Sequence, residues 1–358
     1  IYEDFSSLVL YAKPRDGQSL EAVEKLLLQE IENLRQGNVE DWLPGAVVKD
    51  LRLSEMKEFE KNQGRASAIT SAYILGIDWA EVVSRLDKLE NLTKSDVVAF
   101  AQRFLRSDNF AAVYKHHGDD PSVMKVDKPP ITPVELNRAD ASAFGQDFLQ
   151  RATLDIEPQF LDFKSLIKTA RLAPKLQLKA VQQPDSQIFR LYYIFDMGKN
   201  SDPRLGVAAR YLSFLGTGKY SPQALQQAFY RLGVHFSATC RDERMFLTLS
   251  GLDESLEAGV ELMEHLLADA RPNPEALENL KADILLRREN NKKNRQVILT
   301  KAMLNYGMYG KRSPYTDVLN KAELQALEAG ELTGLIQRLL GYSHEIFYCG
   351  KRSIRRIA

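Results

Sequence analysis

The 358-residue chain is longer than one hydrophobic core usually spans, so two domains are expected. Its 48 basic and 48 acidic residues balance, which argues against a dedicated nucleic-acid binder, since such proteins carry a basic surplus. The apolar fraction of 44% and charged fraction of 27% are those of an ordinary globular protein, and no apolar run approaches the roughly 20 residues that span a membrane.

In chain order, Ser6–Lys13 alternates with Leu8, Leu10 and Ala12 on one face and reads as a strand stopped by Pro14. Ser19 then caps a helix whose Ala22, Val23, Leu26, Leu27 and Ile31 share a face, and Gly37 closes it. Pro44 to about Gly76 is helical in pattern but interrupted near Asn62-Gln63-Gly64, which predicts two helices. Trp79–Leu89 predicts another. Thr93 to Asp96 has the form of a capping box for a helix over Val97–Leu105. Phe110–Tyr114 returns to a strand, and Gly118 ends the unit.

Residues 119–175 change character. The prolines of Asp127–Pro133 remove donors and fix φ, so this stretch fits neither a helix interior nor a central strand. Phe144, Phe148, Leu149, Ile156, Phe160 and Phe163 are too apolar for a floppy linker, so an ordered connector packed on a domain surface is expected.

The second domain is expected to begin at Leu176. Gln177–Val181 and Phe189–Phe195 read as paired strands. Next, Asp202 can cap a helix with Pro203 at its first position; Leu205, Ala208, Ala209, Leu212 and Leu215 form its apolar stripe and Gly216 ends it. Ser221–Leu232 reads as a helix stopped by Gly233, followed by strands His235–Cys240 and Met245–Ser250. Helices are then predicted over Leu256–Leu267, Pro274 to about Asn290, Gln296–Tyr309, Ala322–Ala329 and Thr333–Leu340, with a last strand Glu345–Cys349. No element is expected after it, and Lys351–Arg356 has the look of a cut end. Ile1 likewise opens without a methionine, as in a processed or excised piece. Cys240 and Cys349, one in each of two predicted strands, read as free buried thiols.

The order strand, Ser19-Leu-Glu-Ala22, helices, strand ending at Tyr114 recurs as strand, Ser255-Leu-Glu-Ala258, helices, strand ending at Tyr348. The expected fold is therefore α+β, with two related domains, each laying helices on one face of a largely antiparallel sheet.

One spacing is chemical. Val207, Arg210 and Tyr211 lie at i, i+3 and i+4 on one helix, the arrangement by which a helix points two ligands and a base at one zinc ion. These side chains supply none of that chemistry. Glu261, Glu264 and His265 are a tempting alternative, but they read as the solvent-facing stripe of an amphipathic helix. His116-His117 are adjacent on a strand end and would point to opposite faces. The run Arg287–Lys293 reads as a solvated helix end, and Gly350–Ser353 lacks the features of a phosphate loop.

With Val207–Tyr211, Gly216-Thr217-Gly-Lys-Tyr220 and Arg231-Leu-Gly233 to Ala238 on the page, the chain resembles the pitrilysin/insulinase family of zinc metallopeptidases, which includes the mitochondrial processing peptidases. That resemblance implies four homologous α+β domains forming two halves around a peptide chamber. It implies His-x-x-Glu-His where this chain has Val207, Arg210 and Tyr211, and a third ligand, a glutamate, near Arg287–Arg288. Catalytic zinc takes about three N, O or S ligands, so no metal, cofactor or catalytic residue is expected in this segment. Zinc would belong to a first domain preceding Ile1. The resemblance makes 1–118 the back part of a second domain, 119–175 the connector and 176–358 a catalytically degenerate third domain. The expected partners are a peptide substrate and the remaining domains of the same parent chain, with no nucleic acid and no membrane span. A scaffold that has lost peptidase activity altogether is the alternative, and an unrelated helical interaction module would have no sheet.

Overall fold

The computed structural model describes residues 5–15, 17–118, 122, 124, 126–133, 140–153 and 155–358. The first part is helical: α1 (Leu20–Arg35), α2 (Leu43–Phe59), α3 (Asn62–Ile74), α4 (Trp79–Glu90) and α5 (Lys94–Phe104). Local chemistry sets their ends. The Ser19 hydroxyl accepts the Ala22 N–H at 3.1 Å, Asp78 caps α4, and Thr93 and Asp96 close a reciprocal capping box on α5. Gly37 closes the turn after α1 at φ 74°, a left-handed value that glycine adopts without a Cβ clash. Helix α1 packs on α5, and α2 on α3 and α4.

The two strands expected here do not form. Ser6–Lys13 and Phe110–Tyr114 have no ladder partner, and among the described residues there is one sheet, in the later part of the chain. Alternation makes a strand only where another backbone edge is offered, and a two-stranded pair is marginal in water. Val9, Tyr11 and Val113 are consequently at least 80% exposed.

The connector also departs from expectation. It holds two short helices, α6 (Ala143–Gln150) and α7 (Phe163–Leu166), but Phe144, Ile156, Phe160 and Phe163 face solvent instead of packing on a domain. Positions 119–121, 123, 125, 134–139 and 154 of the connector lie outside the described residues. Its last stretch is a strand, β1 (Lys168–Ala173), which the sequence reading left in the connector.

Five further strands follow: β2 (Leu176–Gln182), β3 (Ile188–Phe195), β4 (Val234–Cys240), β5 (Met245–Leu252) and β6 (His344–Gly350). The sheet order is β1-β2-β6-β3-β5-β4, antiparallel throughout except for the parallel pair β2–β6, so β2 and β3, expected to pair with each other, are separated by β6. The fold is thus α+β with a mixed sheet. Period-two alternation turns Leu191, Tyr193, Phe195, Met245, Leu247, Leu249 and Tyr348 to one face, where all are buried. Full burial of each large side chain contributes about 2 kcal/mol.

That face is covered by α8 (Arg204–Tyr211), α9 (Pro222–Leu232), α10 (Leu256–Asp269), α11 (Pro274–Lys293), and, beyond α12 (Arg295–Val297), α13 (Leu304–Tyr309) and α14 (Lys321–Ala326), by α15 (Ala329–Arg338). Helix α9 has a Ser221 cap and ends on Gly233 at φ 64°. Helix α8 stops at Tyr211 and tightens into a 3₁₀ turn, Leu212–Phe214, before Gly216. Helix α8 opens one residue later than expected, with Pro203 as its N-cap instead of its first residue. The Asp202 Oδ1 accepts the Arg204 N–H at 2.9 Å from just outside, and its carboxylate also pairs with the Arg204 guanidinium.

The expectation that no element follows the last strand is corrected. A short helix, α16 (Ile354–Ile357), follows β6, with Ile354 and Ile357 packed against the core. Arg352 is buried, bonded to the Asp253 carboxylate and carbonyl and paired with Glu257. A buried guanidinium must be neutralised, so this turn is fixed in place. Cys240 and Cys349 are free but half-buried; burial raises both thiols above their ordinary range.

Helix α2 crosses the opposite face of the sheet at one end. Leu53 is fully buried with Ile188 and Leu252. Lys57 Nζ donates to Ser250 Oγ at 3.1 Å, Asp50 pairs with His235 at 2.9 Å, and Glu60 pairs with Arg190. The rest of that face carries half-buried Tyr192, Ile194, Phe246 and Phe347.

Candidate functional site

The three positions at zinc-ligand spacing are all committed to structure. Val207 is 7% exposed and belongs to the core. Tyr211 is wholly buried, and its hydroxyl donates to the Asn273 carbonyl at 2.8 Å while accepting the Asn273 N–H at 2.7 Å. Asn273 is the residue that caps α11, so the phenol ties the end of α8 to the start of α11. Burial pushes the Tyr211 phenol above its ordinary range, so it stays a neutral hydrogen-bonding group. Arg210 turns outward from the core and pairs with Asp283 on α11 at 2.8 Å; Arg287, one turn on, reaches the same carboxylate at 3.2 Å.

These residues do not fit zinc. Valine offers no donor, the phenol is spent on one backbone unit, and a permanent cation stands where a base would be needed. The third ligand that the resemblance implies would fall near Arg287–Arg288. There Arg287 holds Asp283, Arg288 donates to the Leu319 carbonyl, and the neighbouring Glu289 pairs with Lys292. The α11 carboxylate that reaches Arg210 is Asp283, which sequence reasoning missed. Its signal was present in the i, i+4 spacing to Arg287 and in the sign of Arg210. Among the described residues, no group of three or more His, Cys, Asp or Glu side chains could hold a metal.

The loop after α8 is built on close approaches. A Cβ on Gly216 would lie 2.5 Å from the Tyr220 carbonyl oxygen, and one on Gly218 would lie 2.9 Å from Asp269 Oδ2. The Gly216 carbonyl accepts the Arg271 N–H at 2.9 Å, and Gly218 N–H donates to Asp269 at 2.7 Å. The buried Thr217 hydroxyl accepts the N–H groups of Lys219 and Tyr220 and lies 2.9 Å from His265 Nε2. A shallow groove of about 300 Å³ runs between this loop and Arg271–Pro274.

His265 is therefore not the solvent-facing residue that the sequence suggested. Neither is Glu264 wholly so, because its Oε1 accepts the Tyr193 hydroxyl at 2.6 Å. Both tie α10 to neighbouring elements, and Glu261 alone of the three stays in solvent without a cross-tie. His116 and His117 are exposed on the unpaired stretch before Gly118.

Comparison with known proteins follows this geometry. Residues 196–315 match the family described as Insulinase (Peptidase family M16). No match is found among curated proteins. Among solved structures, the peptidase M16 inactive domain from Pseudomonas fluorescens is 19% identical over 53% of this chain and 48% of its own, with a TM-score of 0.46. The periplasmic protease PqqL from Escherichia coli is 14% identical over 94% of this chain and 40% of its own, with a TM-score of 0.46. A protease from Helicobacter pylori is 11% identical over 53% of this chain and 48% of its own, with a TM-score of 0.44. At these values they are similarities only, and the chain spans half or less of the length of each. The matched residues take in α8, the Tyr211–Asn273 tie, the Arg210–Asp283 pair and α13, so it is this middle stretch of the chain, about a third of its length, that is similar to the insulinase family, peptidase family M16.

Proposed function

We propose that this chain is a non-catalytic portion of a zinc-dependent endopeptidase that cleaves peptides. In this reading, residues 176–358 are a degenerate third domain and residues 1–118 the back part of a second. Residues 119–175 connect the halves, with β1 lending the connector's last strand to the sheet. The carrying observation is that Val207, Arg210 and Tyr211 stand at ligand spacing with every polar group committed, to Asp283 or to Asn273. Any zinc and the base that activates its water would reside in another domain of the parent. This portion would form part of the chamber wall, where free strand edges such as that of β1 can pair with an extended peptide.

The test uses the 358-residue chain itself. After dialysis against zinc it is expected to retain no stoichiometric metal and to leave unstructured peptides uncut. Tight one-to-one zinc, or cleavage abolished by a chelator, would refute the reading.

A further inference from the structure

The segment following α11 differs from the helices that cover the sheet. Arg295–Val297, Ile298–Met303 and Leu304–Tyr309 run on as one rod whose middle is π-wound, and none of its side chains is buried. Leu299, Met303, Leu304, Tyr306, Met308 and Tyr309 are each between 55% and 62% exposed. A helix this apolar on its open faces is normally covered. Charge says by what. In a chain of zero net charge, residues 286–312 hold eight Lys and Arg and a single carboxylate, Glu289. Glu289 is already paired with Lys292, and among the described residues no carboxylate lies within ion-pair distance of Lys293, Arg295, Lys301 or Lys311.

We propose that residues 286–312 are a docking surface for an acidic polypeptide segment that carries apolar side chains. The inference rests on the chamber-wall reading above and names the class of peptide that wall would favour. Arg295, Leu299 and Met303 fall at i, i+4 and i+8, a spacing that stays near one face through the π-wound middle and makes a ridge with a cation at its head. A bilayer suits such a helix poorly. An interfacial helix keeps its cations on the face opposite the apolar one, whereas sinking this ridge into acyl chains would take Arg295 with it. A polypeptide can meet the ridge with alternate apolar side chains and place carboxylates beside the cations.

Fluorescence anisotropy with the full chain tests this, using three labelled peptides of one apolar pattern whose charged positions are Glu, Gln or Lys. The Glu peptide is expected to bind about tenfold or more tighter than the Lys peptide, with affinity falling as salt rises. The variant Lys293→Glu/Arg295→Glu/Lys301→Glu should abolish that preference. Leu299→Ser/Met303→Ser should weaken binding while leaving its salt dependence. Circular dichroism on each variant checks that these exposed changes leave the fold intact. Equal binding of the three peptides, or a Glu-peptide affinity untouched by the charge-reversal variant, would overturn the proposal. So would binding that ignores the apolar substitutions and is matched by inorganic polyphosphate, or sedimentation with phosphatidylglycerol vesicles in the absence of peptide binding. If the Gln peptide binds regardless of the 286–312 variants, the chamber-wall reading stands and this inference falls. If no peptide binds, both fall.

Discussion

The tie between Tyr211 and Asn273 can be tested by removing one atom. Tyr211→Phe keeps the buried ring and its packing but deletes the hydroxyl that both donates to and accepts from the Asn273 backbone. The Asn273 N–H then loses its partner at a half-buried position between α8 and α11, while the carbonyl keeps the Leu277 N–H at 3.1 Å. An orphaned buried polar group costs about 1–3 kcal/mol. With one orphaned N–H, one weakened carbonyl and partial access of water, the expected loss is about 1.5 kcal/mol. For an unfolding unit of roughly 190 residues, each 1 kcal/mol shifts the midpoint by about 2–4 °C, so Tyr211→Phe should melt roughly 5 °C lower. Scanning calorimetry of the wild type and the variant reads this directly. A second variant, Tyr211→Leu, adds the loss of ring packing and should fall further. If Tyr211→Phe melts with the wild type, the phenol does not hold α11 in place, and the structural account of position 211 is wrong.

Three further expectations follow from the same structure. Arg352→Met should destabilise by about 3 kcal/mol, read by urea denaturation, because it leaves the Asp253 carboxylate without its buried partner; an unchanged urea midpoint would contradict this. Hydrogen bonds from Arg352 hold the Glu257 carboxyl below its ordinary range, and those from Arg204 do the same for Asp202. For carboxyls depressed in the folded state, the stabilisation is present above their unfolded pKa and is lost as pH falls through the folded one. Stability should therefore drop below about pH 4, and Arg352→Met should show a shallower acid slope in the same urea assay. Gly216→Ala should cost about 1–3 kcal/mol, since its Cβ would lie 2.5 Å from a backbone oxygen that has little room to yield; a thermal melt unchanged from wild type would refute the close approach.

Most helices were legible from local chemistry. The Thr93–Asp96 box and the Ser221 cap with its Gly233 stop each act within a few residues and stand where the sequence put them. The interruption expected near Asn62-Gln63-Gly64 falls just before it, at Glu60 and Lys61, with Asn62 opening α3. Strands were legible only in the sheet-bearing part. The alternation of Ser6–Lys13 is as good as that of Met245–Ser250, yet only the latter has neighbours to bond. Strand β1 was missed for the converse reason: Lys168–Ala173 is almost wholly exposed and shows little apolar pattern, but β2 offers it an edge. The connector's aromatics misled because hydrophobicity predicts a need for cover without saying which surface supplies it.

At the candidate site the sequence by itself determined what is missing. Side-chain identity alone denies Val207, Arg210 and Tyr211 a metal, since donor atoms do not depend on packing. What those residues do instead was decided by the tertiary structure. The pairing of Arg210 with Asp283 and of Tyr211 with Asn273 joins groups 73 and 62 residues apart in the chain. The approach of His265 to Thr217 likewise spans 48 residues. No local period encodes such contacts; they exist because α10 and α11 are laid beside α8 on one sheet face, and that placement follows from burying the sheet's apolar side.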